Sequence, residues 1–174
     1  MTGTGRIHVY YGDGKGKTTA AMGQAIRAAG CGLKVLVFQF LKNNSSNERN
    51  ILEQIPNITC LPGRERVKFF SQMTGEEKLE LRHYNTKALD EIIKFCSSFD
   101  MLVLDEALCA VKLGMLSEDE LIGFLTHKPR GLEVILTGHE VSKKMLKAAD
   151  YATEMQKVKH PYDLGKTARE GIEF

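Results

Sequence analysis

A glycine-rich segment that joins an apolar run to a helix-like run constrains the fold of this chain most strongly. The segment is Gly12-Asp13-Gly14-Lys15-Gly16-Lys17-Thr18-Thr19, and it lies between an apolar run at residues 7–11 and a helix-like run at 20–26. Glycines let the backbone turn sharply and point its N–H groups inward, while a helix N-terminus and a lysine ammonium attract anions. The segment therefore predicts a phosphate-binding loop between the first strand and the first helix of an α/β fold.

The spacing within this loop departs from the usual pattern. Most such loops have four residues between the first glycine and Gly-Lys, whereas only Asp13, Gly14 and Lys15 separate Gly12 from Gly16 here. A surface turn rich in Gly and Lys is the alternative interpretation. The flanking strand and helix favour the phosphate loop.

Helical and β-like segments alternate along the rest of the chain, which predicts a parallel sheet covered on both faces. We expect one three-layer, P-loop NTPase-like (RecA-like) α/β domain over residues 1–174, with a mostly parallel central sheet. The irregular segment 62–74 carries the exposed-looking pair Phe69-Phe70. Beyond the first strand and helix, the predicted strands are 34–40, 58–61, 101–104, 133–137 and 151–154, and the predicted helices are 48–54, 76–97, 117–125 and 141–149, with a capping box at Ser117–Glu120.

Composition excludes several classes of protein. The net charge is only +2 and no basic stripe stands out, so nucleic-acid binding has no support. The sequence shows no long apolar span and no secretory signal, and the spacing of its four cysteines does not suit zinc. These features predict a cytoplasmic protein with reduced cysteines and no membrane association.

A second motif follows the apolar run 101–104. Asp105-Glu106 has the form of a Walker B segment, in which the carboxyl end of a strand presents carboxylates. Because ligands of parallel α/β sheets bind at the carboxyl ends of the strands, the pair is expected to face the phosphate loop. A hydroxyl from Thr18, a carboxylate and phosphate oxygens suit Mg²⁺, although an acidic pair after a strand also serves as a helix N-cap. The two motifs predict an ATP or GTP site without fixing the reaction.

Further short motifs follow one another in order along nearly the whole chain. They are residues 12–21, Arg27-Ala28-Ala29-Gly30, Val37-Phe38-Gln39-Phe40-Leu41-Lys42, Glu48-Arg49-Asn50, Val103-Leu104-Asp105-Glu106, Leu136-Thr137-Gly138, Ala149-Asp150, Val158-Lys159-His160-Pro161-Tyr162-Asp163 and Gly171-Ile172-Glu173-Phe174. Together they resemble the P-loop type of ATP:corrinoid adenosyltransferase. The shortened loop is specific to that family, and so is the C-terminal tail, residues 158–174, with its motifs 158–163 and 171–174. The Walker B segment is not specific to it.

The resemblance implies that the adenosyl group of ATP moves to cobalt(I) of a reduced corrinoid and that triphosphate leaves. Cobalt(I) is a strong nucleophile, so no protein base is required, in agreement with the absence of a Ser/His/Asp or Cys/His constellation. The resemblance further implies that ATP lies reversed in the loop relative to ordinary NTPases. It also implies Mg²⁺ as cofactor, a homodimer, and a reduced flavoprotein as electron donor.

Roles for single residues follow from the resemblance position by position. The backbone amides of residues 12–17 are expected to hold the triphosphate, and bulky aromatic side chains are expected beside the lower face of the corrinoid. The candidates are Gly12, Gly14, Gly16, Lys15 and Lys17 for the triphosphate, Thr18 and Glu106 for Mg²⁺ with Asp105 in support, Thr19 for a phosphate oxygen, Asp13 for the nucleoside, Arg27 for substrate, Phe69 and Phe70 for the corrinoid, and segments 43–48 and 160–163 for either ligand. For Arg27 a solvated helix face is an open alternative, as is an ordinary core role for one phenylalanine.

Two departures from the family pattern affect these expectations. Relatives often have Arg after the Thr-Gly of the fifth strand, whereas His139 stands here, so a nucleotide contact is expected to be weaker or sensitive to pH. Only residues 1–5 precede the first predicted strand, so coverage of the site by an N-terminal segment is not expected. The rival functions are a small P-loop ATPase or kinase that uses Glu106 on water, and an ATP-sensing module without catalysis.

Overall fold

A six-stranded, all-parallel sheet forms the centre of the computed structural model, which describes residues 3–173. Its strand order is β3-β2-β4-β5-β1-β6. Met1, Thr2 and Phe174, the last residue of the tail motif, lie outside the described residues. The strands are β1 (Ile7–Tyr11), β2 (Val35–Gln39), β3 (Ile58–Cys60), β4 (Met101–Asp105), β5 (Glu133–Thr137) and β6 (Tyr151–Glu154), and the α-helices are α1 (Lys17–Gly30), α2 (Arg49–Leu52), α3 (Gly75–Phe95), α4 (Ala107–Lys112), α5 (Glu118–His127) and α6 (Lys143–Ala148).

Apolar side chains on both faces of the sheet give the predicted three-layer arrangement. Because successive strand residues point to opposite faces, Val35 and Val37 pack with the alanine-rich side of α1, while Leu36 and Phe38 face the other layer. Every residue of β2 and β4 is buried. Continuous apolar runs are typical of parallel strands covered on both sides, so the predicted fold class is confirmed.

The strand ends bring polar residues to one edge of the sheet. Gln39 ends β2, Asp105 ends β4 and Thr137 ends β5, and Gln39 is paired in register with Asp105. The phosphate loop, between β1 and α1, opens at the same edge because all six described strands are parallel. Strand β5 lies between β1 and β4, so Thr137 stands between the two predicted motifs.

Local caps explain where two helices begin. Thr74 accepts a hydrogen bond from the Glu77 N–H, and the Glu77 carboxylate accepts one from the Thr74 N–H, which forms a capping box at α3. At α5 the contacts of the described residues give only half of the predicted box, since Ser117 accepts from the Glu120 N–H. Within residues 3–173, no helix is both long and apolar enough to span a membrane.

Candidate active site

The phosphate loop is held by backbone contacts at its first half. Gly12 donates its N–H to the His139 carbonyl at 2.8 Å, and Gly14 donates to the Met155 carbonyl at 2.7 Å. A Cβ at Gly12 would come within 2.4 Å of the Met155 oxygen, and one at Gly14 within 2.7 Å of it. Two of the amides predicted to hold phosphate therefore anchor the loop to the protein, and the second half of the loop offers the remaining ones.

That second half leads directly into the N-terminus of α1. Gly16 adopts φ 114° and the helix begins at Lys17, with no side-chain cap and no acidic residue among the described residues of its first turn. The first N–H groups of a helix have no partner within it, so they are available to an anion. The Lys17 side chain is buried and its ammonium donates to the Gly14 carbonyl at 2.6 Å, inside the loop. This end of the helix can hold phosphate oxygens.

Asp105 is the centre of a buried hydrogen-bond network at the sheet edge. Its Oδ1 accepts from the hydroxyls of Thr18 at 2.9 Å and Thr137 at 2.7 Å. Its Oδ2 accepts from Lys42 Nζ at 2.8 Å and from Gln39 Nε2 at 3.1 Å. The structure thus brings the predicted pair Thr18 and Asp105 into direct contact. It also brings Gln39, Lys42 and Thr137 to Asp105, three residues for which the sequence predicts no individual role.

The charge on Lys42 is set by its carboxylate neighbours. Burial alone would lower the pKa of this ammonium, but the negative charge and hydrogen bond of Asp105, with Glu48 and Glu106 nearby, raise the pKa above its ordinary value. Lys42 Nζ also lies 3.6 Å from Glu48 Oε1. The lysine is therefore a permanent cation next to the phosphate loop.

The oxygen atoms here suit a hard divalent cation. Asp105, Glu48 and the Thr18 hydroxyl supply oxygen ligands of the kind that Mg²⁺ prefers. Gln39 Oε1 is buried and has no hydrogen-bond partner among the described residues. Within residues 3–173 no cluster of three His, Cys, Asp or Glu side chains could hold a metal alone. A cation at this place would thus share its ligands with phosphate oxygens, as Mg²⁺ in nucleotide sites commonly does.

Glu106 has an unusual backbone conformation. Its φ is 59°, in the left-handed region, and its N–H donates to Thr137 Oγ1 at 2.8 Å. Its carboxylate lies beside the Cys109 thiol, and burial together with this charge raises the pKa of Cys109 to about 12. Glu106, the predicted metal ligand, thus lies at the sheet edge where the strands β2, β4 and β5 end, with its carboxylate next to Cys109. Glu106 also precedes α4, a helix that sequence analysis missed.

A cavity of about 920 Å³ opens beside the phosphate loop. Phe69 reaches it with 78% of its surface exposed, whereas Phe70 is half-buried against the core, with Lys78 Nζ 4.5 Å from its ring centroid. The structure therefore separates the two predicted corrinoid contacts. The lining comprises Thr18, Thr19, Met22, Gly23 and Ile26 of α1, residues 41–43 and 45–48, residues 67–69, and residues 171–173.

The C-terminal segment returns to the phosphate loop. The Lys157 N–H donates to Asp13 Oδ1 at 2.8 Å and lowers the pKa of that carboxyl group, and Lys15 Nζ lies 3.0 Å from Glu173 Oε1. Hydrogen bonds from Arg169, and then from Lys15, lower the pKa of Glu173 to about 2. Two side chains of the loop are thus engaged by the tail, a contact that the loop sequence alone gives no means of predicting.

Two other candidate side chains do not join the buried network. Arg27 is exposed on α1, ten residues after Lys17, or about 15 Å along a helix. His139 is exposed, and its backbone carbonyl, not its ring, contacts the loop at Gly12. The structure does not bring either side chain to the network around Asp105.

Similarity to known proteins extends over the whole chain. A family model described as ATP:corrinoid adenosyltransferase BtuR/CobO/CobP matches residues 3–174. A protein named Corrinoid adenosyltransferase from Escherichia coli (strain K12) is 37% identical over 178 residues, covering 98% of this chain and 86% of the relative. Corrinoid adenosyltransferase CobA of Salmonella typhimurium is 36% identical with the same coverage, and a Corrinoid adenosyltransferase of Pseudomonas aeruginosa is 31% identical, covering 98% of this chain and 84% of the relative. The chain belongs to the ATP:corrinoid adenosyltransferase family.

Proposed function

We propose that this chain, acting as a single domain, transfers the 5′-deoxyadenosyl group of ATP to cobalt(I) of a corrinoid in the biosynthesis or salvage of adenosylcobalamin. The observation that carries the proposal is that the phosphate loop and the neighbouring cavity have residues in common. Thr18 and Thr19 belong to the phosphate loop and also line the cavity beside it. A nucleotide bound in the loop therefore adjoins a space that can receive a large second substrate.

The reaction requires positioning more than acid–base chemistry. The electron pair of cobalt(I) forms the bond to C5′ of the ribose, the C5′–O bond breaks, and triphosphate leaves with the bonding pair. The protein then has to hold C5′ in line with cobalt and stabilise charge on the leaving group. Lys17, the N-terminus of α1 and Lys15 supply that positive charge. ATP lying reversed in the loop would place C5′ at the cavity.

Magnesium is the cofactor that the oxygen atoms fit, and bound Mg²⁺ would neutralise charge on the triphosphate. We assign Thr18 and Glu106 to it, with Asp105 in support. The Thr18 hydroxyl already lies 2.9 Å from Asp105 Oδ1, and the Glu106 carboxylate would turn away from Cys109 to join them.

Phe69 is the proposed contact for the lower face of the corrinoid. An aromatic ring there would keep the lower axial ligand away from cobalt, which makes cobalt(II) easier to reduce. Support comes from its position, since its ring is largely exposed and lines the cavity. Phe70 supports the same segment from the core side.

The proposed partners follow from family membership. A reduced flavoprotein would supply the electron, and two copies of the chain would form a homodimer in the cytoplasm. The edge strand β6 is exposed along its length and offers an unpaired edge to a second copy. Sedimentation velocity measures the oligomeric state.

Cobalamin under a strong reductant tests the function. With Mg²⁺ and ATP present, the absorbance of cobalt(I) should disappear and the spectrum of adenosylcobalamin should appear, at a rate proportional to the enzyme concentration. A P-loop ATPase or kinase would instead release ADP and leave the corrinoid spectrum unchanged. An ATP-sensing module would bind ATP without either product.

A further inference from the structure

The Lys42 ammonium lies among the oxygen atoms that suit a divalent cation. It is 2.8 Å from Asp105 Oδ2, 3.5 Å from Thr18 Oγ1 and 3.6 Å from Glu48 Oε1. These are the same oxygens that the magnesium proposal uses or adjoins. A lysine and a metal ion cannot both occupy this position, because two cations at such distances repel each other strongly.

We propose that Lys42 is a built-in competitor of the divalent cation: it neutralises Asp105 until ATP brings the metal, and then moves from the carboxylate to the triphosphate. The proposal rests on the magnesium site of the proposed function. It assigns to Lys42 a positioning role that excludes free metal and admits the metal–nucleotide complex.

Burial explains why Asp105 needs a resident cation. Its side chain is completely buried, and an unpaired carboxylate at such a place would be strongly unfavourable. Thr18, Thr137 and Gln39 donate hydrogen bonds to it but carry no charge. Lys42 therefore supplies the balancing charge, which a divalent cation would supply in its place.

Lys42 is also placed where it can move. Its side chain is 27% exposed and lies at the wall of the cavity, so its ammonium can leave the carboxylate without crossing the core. The residue before it, Leu41, has φ 57°, a left-handed conformation that is uncommon for a residue other than glycine and costs backbone strain. Such strain at the adjoining residue fits a segment with a second conformation.

The alternative is a static ion pair that serves only to support the fold. It predicts that Lys42 stays on Asp105 when ATP and magnesium bind. The two interpretations therefore differ in measurable ways.

Binding of Mn²⁺ alone, followed by electron paramagnetic resonance without nucleotide, tests whether Lys42 competes with the divalent cation for Asp105. Lys42→Gln and Lys42→Met should bind Mn²⁺ roughly tenfold or more tightly than the wild type. Lys112→Gln is the matched control, because it removes the same charge from an exposed ion pair with Glu140. It should bind Mn²⁺ as the wild type does. Equal Mn²⁺ affinity of wild type and both Lys42 variants would overturn the proposal.

A crystal structure of the wild-type chain with ATP and Mg²⁺ separates the exchange from a static ion pair, and it does not depend on the folding of the Lys42 variants. Separation of Lys42 from Asp105 supports the exchange, and persistence of their contact contradicts it. Adenosyl transfer by the wild type is measured in parallel. If Lys42 stays on Asp105 while adenosyl transfer proceeds, this inference alone is refuted. If Lys42 leaves Asp105 but no adenosyl transfer occurs, the proposed reaction alone is refuted.

Discussion

The Lys17 ammonium donates to a carbonyl of its own loop from a nearly buried position, with 8% of the residue exposed. A phosphate oxygen would offer it a charged partner at the same place. Since charge-assisted hydrogen bonds are worth about 1.5–3 kcal/mol, Lys17→Ala should lower kcat/KM for ATP by roughly 10–150-fold. Steady-state kinetics with saturating cobalt(I) corrinoid measures this, with Lys112→Ala as the control. Unchanged kinetics would remove Lys17 from the phosphate site.

The two adjacent phenylalanines should give different phenotypes. Phe69→Ala should slow the coupled reduction of cobalt(II), spare transfer to preformed cobalt(I), and change stability by less than about 0.5 kcal/mol because the ring is exposed. Phe70→Ala should destabilise the protein by about 1 kcal/mol, since its half-buried ring packs on the core. Thermal unfolding and the two corrinoid assays measure these effects. Equal reduction-coupled rates for Phe69→Ala and wild type would contradict the proposed corrinoid contact.

Some site residues were predictable and others were not, for a physical reason. Thr18 and Asp105 belong to local motifs whose chemistry shows in the sequence. Lys42 and Thr137 meet Asp105 only because the carboxyl ends of β2, β4 and β5 lie side by side. Their segments belong to the motifs that resemble the family but carry no phosphate or metal pattern, so their contact with Asp105 follows only from the order of the strands.

Among the elements, the pattern of apolar residues predicted the strands more accurately than the short helices. The predicted strands 133–137 and 151–154 agree with β5 and β6 at both ends. Helix α4 was missed because its six residues directly follow the Walker B strand with no N-cap side chain. Its start depends on the left-handed turn at Glu106, a tertiary feature that local propensity does not reveal.

Because the phosphate loop lies close to Met155, a side chain at Gly12 is expected to disturb the loop. Gly12→Ala would place a Cβ against a backbone oxygen at a positive φ, so the loop must shift. We expect the Kd for ATP, measured by calorimetry, to rise by roughly tenfold or more, and the Tm, measured by thermal unfolding, to fall.

Gly123→Ala is the matched control for this change. It lies inside α5, where a Cβ meets nothing within 4 Å, so it should stabilise the protein by up to about 1 kcal/mol. If Gly12→Ala bound ATP as tightly as Gly123→Ala, the packing of the loop against Met155 would have no functional role.

At the scale of the whole molecule, the two ends of the described chain meet at one site. The phosphate loop follows β1, and Ile172 and Glu173 near the other end of the described chain line the same cavity as Thr18 and Thr19. Lys15 and Glu173 connect them through an exposed ion pair. The tail thus contributes a wall of the cavity as well as a contact to the loop.

Ile172→Asp tests this arrangement. Ile172 is 57% exposed and lines the cavity, so a charge there should raise KM for the corrinoid by roughly tenfold, through loss of apolar contact, with little change in Tm. Val158→Asp is the control, since Val158 lies in the same tail, is 96% exposed and does not line the cavity. Equal KM values for the two variants would show that the tail does not contact the corrinoid.

Adenosyl transfer and phosphoryl transfer differ in which bond of ATP breaks. ATP labelled both in its adenine ring and in its γ-phosphate, incubated with the enzyme and cobalt(I) corrinoid, follows both products at once. Adenosyl transfer predicts one adenine label in the corrinoid for each intact labelled triphosphate released. Labelled inorganic phosphate together with ADP, and no label in the corrinoid, would contradict it.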